Sequence, residues 1–236
     1  MNNKIAFVIP YFGKLPTYFL LFVNSVKEKP FDILFFTDIK KPDNLPSNII
    51  WIPFEKQELQ NLFSRKLEFA INLPNPYKLC DYKPLYGLCF EEYLINYTFW
   101  GSLDIDTVVG NFEKFINDKT LDNIDIYSGI KEYVSGAFFL IRNNRECNNL
   151  FKQSKDWQKV LLEPIYSGFD ECGGHYFEQL KSGESIFDLN IPIESFTEVV
   201  FKEYRKGLRI CFENTVLEPK GSAYVVIKKD SVQYLN

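Results

Sequence analysis

The chain has 236 residues, 46% hydrophobic and 25% charged, a length and composition that suit a globular protein with a substantial core. A formal net charge of -4 excludes broad nucleic-acid binding, which requires a basic surface. No stretch approaches the roughly 20 apolar residues that cross a bilayer, and the start MNNKIAFVIPYFG lacks the long apolar core of a secretory signal.

The five cysteines and the single histidine limit the metal and redox chemistry that we expect. The cysteines are odd in number and show no C-x-x-C spacing, which indicates neither a disulfide framework nor a structural zinc site. This pattern predicts a reducing cytosol as the setting. Because His175 is the only histidine, a metal site built from several histidines is excluded.

The N-terminal part alternates strand and helix patterns. Short apolar runs at 5–10, 31–37 and 49–54 are typical of strands buried on both faces. Helical spacing of apolar residues predicts helices over 16–27 and 55–69, the first ended by Pro30. Strand, helix and strand in this order form a βαβ unit, and therefore predict a parallel sheet.

The stretch FWGSLDIDTVVGNF, residues 99–112, carries the strongest chemical signal. A helix from Asp81 onward should lead into a strand over 99–103, which ends at Asp104 and Asp106. In an extended chain alternate side chains share a face, so the two carboxylates point the same way and Ile105 points into the core.

Two neighbouring carboxylates repel each other unless a cation lies between them. A hard divalent cation that keeps positions open for phosphate oxygens meets this requirement. The alternative is that Asp104 and Asp106 are solvated turn residues, since aspartate is common where strands end. Ligands of open α/β sheets bind at the carboxyl ends of strands, where residues 10–13, Asp38 and the aspartate pair should meet.

The second half changes character. We expect a helix over 111–119, strands in IDIYSG and over 137–142, and a helix over 146–157. Further strands are predicted in RICFE, AYVVIKK and SVQYL. The whole reads as one α/β domain with a mixed, mostly parallel sheet and a smaller, partly antiparallel C-terminal half.

The order of motifs resembles a glycosyltransferase of the GT-A fold. The resemblance rests on IPYFG, FFTD, CDYK, FWGSLDID, SGAFFLIRN and FDE, which run from residue 5 to about residue 178. It is closest to a bacterial family of small glycosyltransferases linked to capsule or lipopolysaccharide synthesis. It implies one GT-A-like domain over 1–236, with a nucleotide-binding half over 1–110 and an acceptor-side half over 111–236.

Such enzymes move a sugar from a nucleoside diphosphate to a hydroxyl group. The resemblance implies a UDP-sugar donor, a saccharide or lipid-linked acceptor, and a Mn²⁺ or Mg²⁺ ion that neutralises the departing diphosphate. It also implies a cytoplasmic role in surface polysaccharide synthesis. Peripheral association with the inner face of a membrane stays open.

The resemblance also implies roles for individual residues at the donor side. Asp106 would bind the metal directly, and Asp104 the metal or the ribose. The nucleotide pocket would be formed by the ends of the first two strands and by the centre of the D-x-D motif, at Pro10, Tyr11, Phe12, Asp38 and Ile105. A late histidine completes the metal site in many enzymes of this fold, and His175 would be this third ligand, although it comes earlier than that pattern expects.

Further roles concern the donor sugar and the acceptor. Asp81 and Lys83 would face the donor sugar and the diphosphate, with Lys83 supplying a catalytic cation. Gly136 would permit close approach below the sugar. Asp170 and Glu171 would be the catalytic carboxyl groups at the acceptor, where an inverting enzyme needs a general base and a retaining enzyme needs a group that positions donor and acceptor.

Each assignment has a structural alternative. Residues 10–13 suit a plain strand-to-helix turn, and Tyr11 and Phe12 suit core rings. Asp38 or Asp81 could cap a strand or a helix, with Lys83 solvated. Residues 135–139 suit a plain central strand, and His175 a partly buried hydrogen-bonding residue.

Two other functions are compatible with the same pattern. One is a non-catalytic nucleotide-sugar-binding protein of this fold. The other is a nucleotidyltransferase, which usually carries a glycine-rich phosphate loop after its first strand. PYFGKLP has one glycine and one lysine there, which counts against that class.

Overall fold

A seven-stranded mixed sheet organises the structure, a computed structural model that describes residues 1–216, 224–228 and 231–235. Its strands in chain order are β1 Ile5–Pro10, β2 Asp32–Thr37, β3 Ile49–Pro53, β4 Phe99–Leu103, β5 Ile126–Ser128, β6 Phe138–Arg142 and β7 Ile210–Phe212. The order across the sheet is β3-β2-β1-β4-β6-β5-β7. All neighbours are parallel except β6, which is antiparallel to β4 and to β5.

The predicted strands of the large sheet are confirmed, because buried apolar runs leave little choice of structure. Alternate residues of β1 enter two different hydrophobic clusters, so the sheet is covered on both faces. Helix α1 (Phe19–Val26) packs Phe22 and Val26 into one cluster, and α2 (Lys56–Leu67) packs Leu59 and Phe63 into the other.

The predicted strands near the C-terminus form a separate antiparallel hairpin. Strand β8 (Tyr224–Lys228) pairs with β9 (Ser231–Leu235). Ala223 and Lys229, which the prediction included, lie outside the described residues. Together with the antiparallel β6, this hairpin confirms the partly antiparallel second half.

The segment before β4 is helical but only partly α-helical. A 3-10 helix spans Pro76–Leu85 and is followed by α3 (Tyr86–Cys89) and α4 (Glu91–Leu94). Pro84 lies inside the 3-10 helix and supplies no amide hydrogen. Residues on every side of this helix are buried, so it has no amphipathic pattern from which its type could be predicted.

Two continuous helices predicted in the second half are wrong. Residues 111–119 form only a 3-10 helix at Phe112–Lys114 and the start of α5 (Asp118–Leu121). Asn111 and Asn117 each accept a hydrogen bond from a backbone amide three residues ahead, so each side chain begins a new short helix.

The helix predicted over 146–157 is three pieces. They are α6 (Arg145–Asn148), a 3-10 helix at Leu150–Gln153, and α7 (Trp157–Leu162). The chain breaks because the amide of Lys155 donates to the Glu194 carboxylate and that of Asp156 donates to the Ser154 hydroxyl. Both amides are thereby withdrawn from helical hydrogen bonds.

The remaining helices are α8 (Phe177–Lys181) and α9 (Phe196–Tyr204). Near α8 a small third cluster packs Ile130, Tyr133 and Cys172 with Leu180. Within the described residues, no helix is both long enough and apolar enough to cross a membrane.

Candidate functional site

The chain reverses its direction of progress across the sheet between β1 and β4. It runs outward from β1 to β2 and β3, and then returns to place β4 on the other side of β1. The loops that follow these two parallel strands therefore diverge, and at such a switch point open α/β sheets bind ligands in a crevice outside the carboxyl ends of the strands. Pro10 ends β1 and Asp104 follows β4, so the residues singled out in the sequence lie at this switch point.

The loop after β1 is tied to the end of β2. The Tyr11 amide donates to the Phe36 carbonyl at 2.9 Å, and the Gly13 amide donates to the Asp38 carboxylate at 3.1 Å. Gly13 has a φ of 103°, which a residue with a side chain rarely adopts. Asp38 is exposed, and Tyr11 and Phe12 are half-buried against the core.

The two aspartates after β4 differ in environment. Asp104 is half-buried, and its amide donates to the Ala137 carbonyl at 3.1 Å. Asp106 is exposed, although desolvation at the mouth of the crevice and the nearby charge of Asp104 raise its pKa. Ile105 is buried in the core. The structure confirms that it points inward, and corrects its assignment to the nucleotide pocket.

The Lys83 side chain is the cation nearest to this pair. Its ammonium donates to Asp104 Oδ1 at 2.8 Å and to the Gly136 carbonyl at 2.9 Å, and lies 3.9 Å from Asp170 Oδ2. Burial alone would lower the Lys83 pKa, but the charges of Asp104 and Asp170 outweigh it and raise that pKa. Lys83 is therefore a fixed, charged link between the D-x-D motif and Asp170.

Asp170 is buried, with only 1% of its surface exposed. Its Oδ1 atom accepts a hydrogen bond from the Tyr166 hydroxyl at 3.0 Å. Burial, with the charge of Glu171 beside it, raises the pKa of Asp170 well above its usual range, and Lys83 opposes this only partly. An enclosed carboxyl group with two partners is suited to positioning Lys83 rather than to meeting an acceptor.

Gly136 allows the close approach that the sequence predicted, but to a different group. A Cβ atom at this position would fall inside the contact distance of Asp170 Oδ2. The Gly136 amide donates to Glu171 Oε1 at 3.0 Å. The close neighbours of Gly136 within the protein are therefore the two acids, and its place below a donor sugar stays a prediction.

The prediction that Asp81 faces a donor sugar is also corrected. The Asp81 side chain is fully buried, and it accepts hydrogen bonds from Lys78 Nζ at 2.8 Å and from the amides of Ser167 and Phe169 at 2.9 and 2.8 Å. Lys78 Nζ also donates to the Val160 and Ile165 carbonyls. This buried pair fastens the loop that carries Tyr166 and Asp170.

The metal ligands predicted from the resemblance are only partly brought together. Asp104 and Asp106 share the end of β4, whereas His175 is exposed. In the part of the chain that the structure describes, no three His, Cys, Asp or Glu side chains converge as a metal site. Two carboxylates still fit Mg²⁺ or Mn²⁺, because such ions are often held by one or two carboxylates with substrate phosphates and waters completing the coordination.

Two residues that support the candidate site, Lys78 and Tyr166, were not predicted from the sequence. Lys78 lies in a 3-10 helix and Tyr166 in an irregular loop, where no periodicity marks a buried position. The one available signal was the spacing of Tyr166 four residues before Asp170, which is weak without a helix between them.

A surface cavity of about 820 Å³ lies elsewhere, at the opposite edge of the sheet. It is lined by residues that precede β5 and β7 and follow β6, among them Asp125, Asn144 and Leu208. None of the residues singled out in the sequence line it.

Comparison with known proteins gives a family without an assigned activity. A model described as a family of unknown function, DUF6625, matches residues 7–233. No curated protein and no solved structure gives a significant match to the chain.

Proposed function

The chain belongs to the DUF6625 family, and we propose that it is a metal-dependent glycosyltransferase of GT-A fold that uses a nucleoside diphosphate sugar. The observation that carries the proposal is the D-x-D pair at the switch point of the sheet. A crevice at that position is where open α/β sheets bind ligands. The antiparallel β6, directly after the D-x-D strand in the sheet, supports the finer fold assignment.

The two sides of the crevice suit the two halves of such a donor. On the β1 side, the half-buried Tyr11 and Phe12 offer rings to a nucleobase, and Asp38 offers a carboxylate to a ribose hydroxyl. On the β4 side, Asp104 and Asp106 would hold Mn²⁺ or Mg²⁺. The ion would supply positive charge to the diphosphate as it leaves.

The protein's own groups have distinct tasks in this account. Lys83 fixes the orientation of Asp104 and adds a second positive charge close to the leaving diphosphate. Asp170 holds Lys83 from the other side. Glu171, which is half-buried rather than enclosed, is the carboxylate that faces the acceptor hydroxyl.

A UDP-sugar is the donor that we propose first, and a saccharide or lipid-linked hydroxyl is the acceptor. In the transfer, the acceptor oxygen bonds to the anomeric carbon, and the bond from that carbon to the diphosphate oxygen breaks. The products are a glycoside, a nucleoside diphosphate and the proton released from the acceptor hydroxyl. The role in surface polysaccharide synthesis belongs to the same proposal.

Calorimetric titration of UDP and GDP, with and without Mn²⁺, tests the site. We expect Mn²⁺-dependent binding of UDP to the wild-type protein and a loss of about tenfold or more in Asp106→Asn, since one charge of the metal site is removed. Asp188→Asn, at an exposed position outside the crevice, is the matched control and should bind as the wild type does. Absence of nucleotide binding by the folded wild-type protein would overturn the proposal.

A further inference from the structure

Tyr77 presents an aromatic ring to solvent beside the acceptor side of the crevice. The residue is 61% exposed, whereas Lys78 and Leu79, which follow it, are buried. The backbone at Tyr77 is held in place, because Pro76 precedes it and the Tyr77 amide donates to Asn75 Oδ1 at 2.9 Å.

The ring is connected to the proposed reaction centre by direct contacts. Tyr77 packs edge-to-face on Tyr166, with 4.9 Å between ring centroids and an interplanar angle of 75°. The Tyr166 hydroxyl donates to Asp170, which in turn lies beside Lys83. Tyr77 is thus the outermost member of a row of contacts that ends at Asp104.

The support under this row is buried and charged, which keeps it in place. Lys78, the residue after Tyr77, donates hydrogen bonds from its ammonium group to Asp81 and to the Val160 and Ile165 carbonyls. Asp81 holds the amides of Ser167 and Phe169. Both the segment that carries Tyr77 and the loop that carries Tyr166 are therefore fixed from below.

We propose that Tyr77 is the acceptor subsite, and that a pyranose ring stacks its C–H face on the exposed tyrosine ring. This inference rests on the proposed function and names the acceptor class as a saccharide. An aromatic face is matched by the apolar face of a sugar, and the carboxylate of Glu171, whose charge acts on Tyr77, would accept hydrogen bonds from sugar hydroxyls.

The charge around Tyr77 favours a neutral sugar over a lipid headgroup. Glu171 is the half-buried acidic group on this side, and its charge would repel an anionic phosphate. Ile165, 75% exposed and adjacent to Tyr166, is the feature that a lipid surface would use instead. A membrane is therefore the alternative that the experiment has to separate.

Saturation-transfer NMR with methyl pyranosides of glucose, galactose, mannose and N-acetylglucosamine, in the presence of UDP and Mn²⁺, tests the subsite. We expect transfer to the C–H protons of one sugar face, and an affinity about three- to tenfold lower in Tyr77→Ala. Tyr77→Phe should retain binding because it keeps the ring. Tyr204→Ala removes another exposed tyrosine, 55% exposed, and is the matched control.

The outcomes separate this subsite from the proposed function. Saccharide binding that depends on Tyr77 supports the subsite even if UDP does not bind, in which case only the transferase fails. No saccharide binding, or equal affinities in Tyr77→Ala and Tyr204→Ala, overturns it. Binding to phosphatidylglycerol vesicles is measured in parallel. A Tyr77→Ala variant that loses binding to vesicles but keeps its affinity for the saccharides also overturns the subsite.

Discussion

Lys83 is the residue on which the geometry of the site depends. Its ammonium is buried and shared between Asp104, the Gly136 carbonyl and Asp170. Removing one partner of a buried ion pair leaves an uncompensated charge, which is costlier than removing both. Lys83 therefore couples the stability of the protein to the arrangement of its candidate site.

Lys83→Met should lower the free energy of unfolding by about 3 kcal/mol, because Asp104 and the buried Asp170 both lose the ammonium group that they share. Adding Asp170→Asn should recover part of that loss. Urea unfolding of the two single variants and the double variant measures the coupling. Lys159→Met, at an exposed position of α7, is the control and should change little. Additive losses in the double variant would show that Lys83 and Asp170 are not a pair.

Gly136 offers a second test at the residue scale. Gly136→Ala should cost about 1–3 kcal/mol, because the new methyl group would overlap the Asp170 carboxylate. The cost should shrink in an Asp170→Ala background, where the obstructing atoms are gone. Thermal unfolding of the variants measures both effects, and an unchanged cost in that background would contradict the assigned contact.

Among the elements, the loop between α7 and α8 is held by the 3-10 helix that precedes α3. Two amides of this loop, from Ser167 and Phe169, donate to Asp81. The loop carries Tyr166 and Asp170, so its order determines the side of the crevice to which we assign the acceptor.

Asp81→Ala should accelerate hydrogen exchange at the amides of Ser167 and Phe169 more than at amides of the sheet. The reason is that these two donors lose their acceptor while the sheet ladder is unaffected. Amide exchange followed by NMR makes the comparison within one sample. Uniform acceleration at all amides would mean that Asp81 supports the whole fold rather than the loop.

The ion pairs of Asp125, just before β5, predict how the stability of the protein depends on pH. Hydrogen bonding by Arg209 and the charge of Arg142 hold the pKa of Asp125 below its usual range. A lowered pKa in the folded state adds stability above the ordinary carboxyl pKa of about 4, and this stability is lost as the pH falls through the folded value.

Asp125→Asn should therefore be less stable than the wild type by about 1–2 kcal/mol at pH 7, a modest figure since Arg209 is half exposed. The difference should close as the pH falls below about 4. Urea unfolding at a series of pH values checks this. A constant difference at every pH would exclude the ion pair as its source.

Strands and helices of this chain were not equally predictable. Strands β1, β2 and β4 are buried apolar runs, which the local sequence indicates directly. The short helices of the second half depend on single side chains instead. The Glu194 carboxylate accepts a hydrogen bond from the amide of Lys155, which lies 39 positions earlier in the chain, and no local sequence pattern can predict such a contact.

At the scale of the whole molecule, the topology of the sheet explains which parts of the site could be predicted. Parallel strands bring their carboxyl ends to one edge, so Asp38, Asp104 and Asp106 could be placed together from sequence order alone. The burial of the Asp81 and Asp170 side chains could not be predicted, because it depends on how the loop between α7 and α8 packs.

We would first measure release of UDP from UDP-sugars, with the methyl pyranosides named above or water as the acceptor of the sugar. With UDP-glucose, UDP-galactose and UDP-N-acetylglucosamine as donors, we expect Mn²⁺-dependent release of UDP by the wild type and by Asp188→Asn. Release should fall about a hundredfold or more in Asp106→Asn, since charge on the leaving group is then left uncompensated. Mn²⁺-dependent UDP binding without release from any of these donors would contradict it, and would make the protein a nucleotide-sugar-binding protein instead.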